Sequence, residues 1–409
     1  MSEPPSTGAG RGSRGVLVAA GAAALAAAVS LGLARFSYAL LLPPMRADLG
    51  WTYFIAGAMN TVNAAGYLLG ALLVPRLLAR LDARRVLLAG SAGTALLLAL
   101  HGLVIDDAAL FVLRLLSGIA SSAAFVGGGL VAARLAAEPR ADGSTHAGLV
   151  LGIYYGGTGV GIVVSALVVP PLVTGGGEHA WQWAWIALGA SAAFATALTA
   201  AGTRPSPPAR SGGTSTPVRA TAFAWALAGY GCFGLGYIGY MTFVVTLLRE
   251  EGFGGAGIVG FYVLLGAAVV ASSWVWAGLL QRRRDGLSLA LLNALLAVAT
   301  ALPVASAHPL AVGASGVLFG GVFLSVVAAT TAFVRHNLPP SGWAAGIGAF
   351  TLVFAAGQIA GPALVGWIAD GPGGLVRGFV VSAGLLALAA LLASRQRPLD
   401  ARRGADSAG

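Results

Sequence analysis

Twelve stretches of this chain are apolar over the length of helix, about 20 residues, that crosses the hydrocarbon core of a bilayer, and none of them holds a carboxylate. Few folds remain open to such a chain. Lipid offers no partner to backbone N–H and C=O groups, so runs of this length must be helices that satisfy their own hydrogen bonds. The runs lie at 16–42, 52–77, 86–105, 109–134, 146–173, 182–202, 221–247, 255–280, 287–305, 309–334, 343–369 and 375–394. The least marked divisions fall at Asp106-Asp107 and at His308-Pro309. The chain is 9% charged, where a soluble domain carries roughly a quarter, and its mean hydropathy is +0.84. The expected fold class is an all-α membrane protein. The first run follows Arg11 and Arg14 in the manner of a secretion signal. It continues past the small residues Gly32-Leu33-Ala34 to Leu42, so we expect an uncleaved first span.

All 24 basic residues are arginine. With the N-terminus in the cytoplasm, 19 of them fall in cytoplasmic segments or at cytoplasmic span ends, three (Arg46, Arg249, Arg377) fall at the outer side, and two (Arg35, Arg114) lie deep within apolar spans. This asymmetry matches the positive-inside rule and places both termini inside. The segment 203–220 is rich in Pro, Ser, Thr and Gly and reads as a cytoplasmic linker. The expected organisation is a disordered cytoplasmic N-terminus (1–15), a six-helix half (16–202), the linker, a second six-helix half (221–394) and a cytoplasmic tail (395–409).

Several chemistries are disfavoured. Cys232 is the single cysteine, and the histidines sit near span ends without ligand spacing, so no metal or other cofactor is expected. No phosphate-cradling Walker motif is present. The glycine strings lie in apolar helices, and no paired carboxylates stand at depth for acid–base work. The short basic loops suit anionic lipid and call for no nucleic acid. An enzyme is not expected.

The halves repeat at an offset of 202 residues. Tyr38 matches Tyr240, Asp48-Leu49-Gly50-Trp51 matches Glu250-Glu251-Gly252-Phe253, Gly118 matches Gly320, and Gly159 matches Gly361. Arg35 has Tyr237 as its counterpart, and Arg114 has Gly316. Six helices separate the copies, so the duplication is parallel.

Twelve spans as six and six, an arginine-rich loop after the second and eighth spans, and the fourth-span sequence Arg114-Leu115-Leu116-Ser117-Gly118 resemble the major facilitator superfamily. The segment from Gly32 to Pro43, with Arg35-Phe36-Ser37-Tyr38, resembles its YbfB/YjiJ-like subgroup. The resemblance implies two pseudo-symmetric six-helix halves, alternating access to a central cavity, and a conformational loop between the second and third spans. That loop usually reads G-x-x-x-D-R-x-G-R-R. Here Arg80, Arg84 and Arg85 are kept, Ala79 stands where the Asp is expected, and Asp82 where the Gly is. The prolines of the fifth span come late, at Pro170-Pro171, which departs from the antiporter pattern.

Ionisable residues at membrane depth mark function by default. Arg35 and Arg114 share one sign and have no carboxylate in any span, so an anionic substrate is one way to compensate them, held by planar paired hydrogen bonds. The resemblance implies that the first and fourth spans line the cavity, where the two would meet. Tyr38, Tyr237 and Tyr240 would add an aromatic wall. Asn60, Asn63 and Gln358 are polar candidates for contact or for interhelical bonding, and Tyr154 rises from the glycine ladder of the fifth span. The expected function is secondary or facilitative transport of a small organic solute, an anion or acidic zwitterion, by a monomer in a bacterial plasma membrane. Any proton coupling would be carried by the solute itself, since the spans offer no deep Asp, Glu or His relay. Two alternatives stand beside it: an exporter of hydrophobic drug-like or biosynthetic compounds, and a non-transporting membrane sensor.

Overall fold

The computed structural model describes residues 13–138, 147–174, 177–204 and 220–399. Most of the expected N-terminal segment, linker and tail (1–12, 205–219 and 400–409) lies outside them. Twelve helices are long and apolar enough to cross a membrane: α1 (Arg14–Leu49), α2 (Tyr53–Leu78), α3 (Ala83–His101), α4 (Asp107–Ala137), α5 (Gly148–Val173), α6 (Ala180–Gly202), α7 (Thr221–Glu250), α8 (Gly255–Arg282), α9 (Leu287–Ala305), α10 (Pro309–Asn337), α11 (Pro340–Ala369) and α12 (Gly374–Ser394). No strand occurs among the described residues.

Local chemistry sets the boundaries. Thr52, Asp82 and Asp106 cap α2, α3 and α4 by accepting from Ile55, Arg85 and Ala109 N–H, which satisfies donors that a helix start leaves open. Asp106 thereby resolves the weak division between α3 and α4. His308 caps α10 with Pro309 in its first turn, where proline costs no hydrogen bond. The one substantial departure from expectation is the end of α1. The helix does not stop before Pro43-Pro44. It runs on to Leu49 and is closed by Gly50 in the left-handed conformation, φ 65°. Proline is tolerated inside such helices because neighbouring elements and local adjustments satisfy the freed groups, and α1 makes such an adjustment just upstream. Residues Ala28–Phe36 form a π-helix, with Ser37 N–H donating to Gly32 O five residues back at 3.0 Å.

The packing repeats between halves. In the first half α2 lies on α4, α3 on α4 and α6, and α1 on α5 and α6; in the second α8 lies on α10, α9 on α10 and α12, and α7 on α11 and α12. The 202-residue offset holds to the residue in the closest approaches. A Cβ on Gly118 would strike the carbonyl of Asn63, and one on Gly320 the carbonyl of Leu265. The halves meet along two seams, α5 with α8 and α2 with α11. The α5–α8 seam is close at Gly152–Trp274, Gly156–Val270 and Gly159–Gly266. Glycine's missing side chain is what lets these backbones approach.

The two ends of the bundle differ. At the end away from the arginine-rich loops, Thr61 Oγ1 donates to Ile359 O at 2.7 Å, and Gly57 and Gly366 lie against Pro362 and Tyr53. Asp370 accepts from Tyr53 N at 2.8 Å and Phe54 N at 2.9 Å. Tyr53 Oη donates to Glu250, with the Arg46 guanidinium 3.7 Å from the Tyr53 ring. Contact between α1 and α7 is likewise made by Tyr38–Leu49. Toward the arginine-rich end Tyr155 packs on Phe125 and Tyr154 and is 43% exposed.

Candidate functional site

Arg35 and Arg114 are both buried, 4% and 0% exposed, but their surroundings differ in kind. Arg114 on α4 is fully engaged. Its Nη1 donates to Ala34 O at 3.0 Å, its Nε to Met59 O at 3.4 Å and its Nη2 to Asn60 Oδ1 at 3.3 Å. The Tyr38 and Trp185 rings lie 4.7 and 5.8 Å from its Cζ. Carbonyl dipoles and ring faces thus compensate the charge that no carboxylate meets. Asn60 passes the connection on, donating through Nδ2 to Thr242 Oγ1 at 2.7 Å. A polar chain therefore runs from α4 through α2 to α7 across the boundary between halves. Asn63, on the same face of α2, donates to Arg114 O at 3.0 Å and to Ser117 Oγ at 3.2 Å.

Arg35 has no such satisfaction. Its Nε and Nη2 are buried without a hydrogen-bond partner. These two atoms form one edge of the planar guanidinium, the edge that grips a carboxylate with two parallel hydrogen bonds. The Tyr67 ring lies 5.8 Å from its Cζ, and Tyr237 stands within electrostatic reach. Arg35 belongs to the π-helical stretch of α1. Such segments cluster at functional sites, and widening the turn rotates the side chains that follow. The expectation of a two-arginine clamp thus reduces to one arginine with donors to offer, because the carbonyls of Ala34 and Met59 already hold the other.

The expected aromatic wall divides in the same way. Tyr237 remains within electrostatic reach of Arg35. Tyr38 lies on Arg114 and donates to Ala56 O at 2.8 Å. Tyr240 bonds Ser315 Oγ at 2.7 Å and stacks on Phe319. Tyr154 Oη donates to Phe125 O. Gln358 is buried with its Oε1 unpartnered, one turn beyond Phe354 on the same side of α11. Sequence reasoning passed over Tyr67, Phe323 and Phe354. The rings of Phe233, Phe323 and Phe354 stack around Tyr237. Part of that cluster was readable, since Tyr230, Phe233 and Tyr237 share one face of α7 at helical spacing. Arg35, Tyr67, Tyr237, Phe323 and Phe354 all fall within about four residues, roughly 6 Å, of the midpoints of their helices.

The sequence profile of the family described as the uncharacterised MFS-type transporter YbfB matches residues 27–394. The chain belongs to this family. It is an integral, multi-pass transporter of the major facilitator superfamily, as its sequence resemblance implied. Solved structures agree on the fold. A bacterial homologue of the human lysosomal transporter Spinster, inward-facing and unoccupied, is 14% identical with a TM-score of 0.70, covering 94% of this chain and 98% of that one. The nucleoside transporter NupG is 15% identical with a TM-score of 0.65, covering 93% and 96%. No curated protein matches the chain in sequence.

In this YbfB-family chain the loop before α3 has its own local order. Asp82 caps α3 and pairs with Arg85 at 3.1 Å. Arg84 donates to Thr203 O at 3.0 Å and Ala200 O at 2.8 Å, tying the loop to the end of α6. Arg80 is exposed. The repeated acids Asp48 and Glu250 have diverged. Asp48 accepts from His179 N at 2.9 Å and Trp181 Nε1 at 3.0 Å within its own half, whereas Glu250 bonds Tyr53 of the other half. Two apolar grooves, one between α3 and α6 and one at Leu100–Leu113, are built without Arg35 or any of the rings around it.

Proposed function

We propose that the protein carries a small organic anion, or a zwitterion with an acidic group, across the membrane by alternating access, with Arg35 as the anion ligand. The observation that carries this reading is the pair of buried, unpartnered donors on Arg35. A buried charge without partners is costly, and a carboxylate bound during the cycle would offset that cost where the protein itself does not. Mid-helix depth and placement between the halves suit a transport site. Arg114, with Asn60 and Thr242, holds the halves together beyond the site, and the arginine-rich loops face the cytoplasm. The transporter acts as a monomer in a bacterial plasma membrane.

The acids that fall within the spanning helices, Asp48, Asp107 and Glu250, each lie at a helix end and bond Trp181, Trp51 and Tyr53 respectively. The cycle is therefore uniport, exchange, or symport in which the solute carries the proton. A second reading, export of hydrophobic compounds, draws on the aromatic rings around Tyr237. Thermal stabilisation of purified protein by organic acids and by their amides separates the two, because a ligand of the folded state raises apparent stability. Acid-selective shifts that vanish in Arg35→Gln are expected. Equal shifts by acids and amides, unchanged in the variant, would overturn the anion reading.

A further inference from the structure

We infer that the transported solute is an aromatic acid, its carboxylate on Arg35 and its ring stacked on the Tyr237–Phe354 platform. This rests on the reading of Arg35 as the anion ligand and adds to it a requirement for a flat ring. Ring pairs in the bundle meet at angles from 13° at Tyr240–Phe319 to 75° at Tyr53–Phe243 and 88° at Phe36–Phe323. The four rings centred on Tyr237 are aligned with one another. Tyr237 lies at 19° to Phe233, 18° to Phe354 and 11° to Phe323, and Phe233 lies at 7° to Phe354. Their centroids are 4.7 to 6.2 Å apart, the spacing of offset stacks.

An aligned set of rings presents parallel flat faces, which edge-to-face packing does not. Phe354 and Tyr67 are only half-buried, one on each half of the molecule. The Arg35 guanidinium carbon lies 5.8 Å from the Tyr67 ring, and Tyr237 is within its electrostatic reach. A planar ring joined to a carboxylate by a short link meets all three features at once. An aliphatic acid of equal charge satisfies Arg35 and leaves the platform without a partner. A neutral aromatic does the reverse.

The test is a set of matched probes: benzoate against cyclohexanecarboxylate, phenylacetate against cyclohexylacetate, and phenylacetamide as the neutral ring. Each is titrated by thermal stabilisation against the wild type, Arg35→Gln and the size-conserving Phe354→Leu. In the wild type at least one aromatic acid is expected to bind about ten-fold more tightly than its saturated counterpart. In Phe354→Leu that ratio falls toward one while the saturated acid still binds, which also shows that the variant is folded. In Arg35→Gln both acids lose affinity and phenylacetamide does not. Equal binding of aromatic and saturated acids, with both lost in Arg35→Gln, overturns the aromatic requirement and leaves the anion site standing. Equal binding of phenylacetate and phenylacetamide in all three proteins overturns the anion site itself. Absence of a shift with both aromatic acids at millimolar concentration also overturns the inference.

Discussion

Replacing Asp370 by alanine tests the closed end of the bundle most directly. The carboxylate belongs to the second half and accepts from the first two N–H groups of α2 in the first, at 2.8 and 2.9 Å. Both bonds exist only while the halves are together at that end. A side-chain cap on a helix start contributes about 1 kcal/mol, and a negative charge there adds about 0.3–1 kcal/mol through the helix dipole. The bonds are exposed, so the lower parts of these ranges apply and about 1–2 kcal/mol is expected in all. At about 1.4 kcal/mol per ten-fold, the equilibrium moves five- to thirty-fold toward the arrangement open at the arginine-poor end. Asp370→Asn, which keeps one acceptor, should move it less. The shift can be read from the distance between spin labels at Leu103 and Leu310, which are 67% and 78% exposed on opposite halves at that end, after Cys232→Ser removes the native thiol. A longer distance should grow from wild type through Asp370→Asn to Asp370→Ala. If the distance distribution of Asp370→Ala superimposes on that of the parent, Asp370 caps α2 without latching the halves, and the reasoning fails.

Further expectations concern stability. Arg35→Leu removes buried donors that have no partner and should raise the thermal midpoint, a gain of about 1–3 kcal/mol, while abolishing acid binding. Arg114→Leu strands Asn60 Oδ1 and two carbonyls and should cost about 3 kcal/mol or more; equal effects of the two substitutions in thermal unfolding would contradict the assigned roles. Gly118→Ala and Gly320→Ala place a Cβ against the carbonyls of Asn63 and Leu265 and should each destabilise by about 1–3 kcal/mol. Gly321→Ala, with open space around it, should be silent, and a loss there as large as at Gly320 would refute the packing argument. Asp82→Ala should cost about 1 kcal/mol through its cap and leave ligand titrations unchanged.

The sequence by itself determined the number of spans, their helical state and the repeat between halves. Bilayer thickness and the need to satisfy every backbone group act along the chain one segment at a time, so their traces are local. The two-arginine pattern also stood in the sequence. The tertiary structure alone decided which arginine was free. Arg114 is satisfied by the carbonyls of Ala34 and Met59, groups that every residue carries and that no side-chain pattern marks. The π-helical turn that carries Arg35 and the meeting of Tyr67 with the Tyr237–Phe354 stack likewise follow from how helices distant in sequence lie against one another. Burial and hydrogen bonding are pairwise quantities in space, and only the packed bundle supplies the second member of each pair.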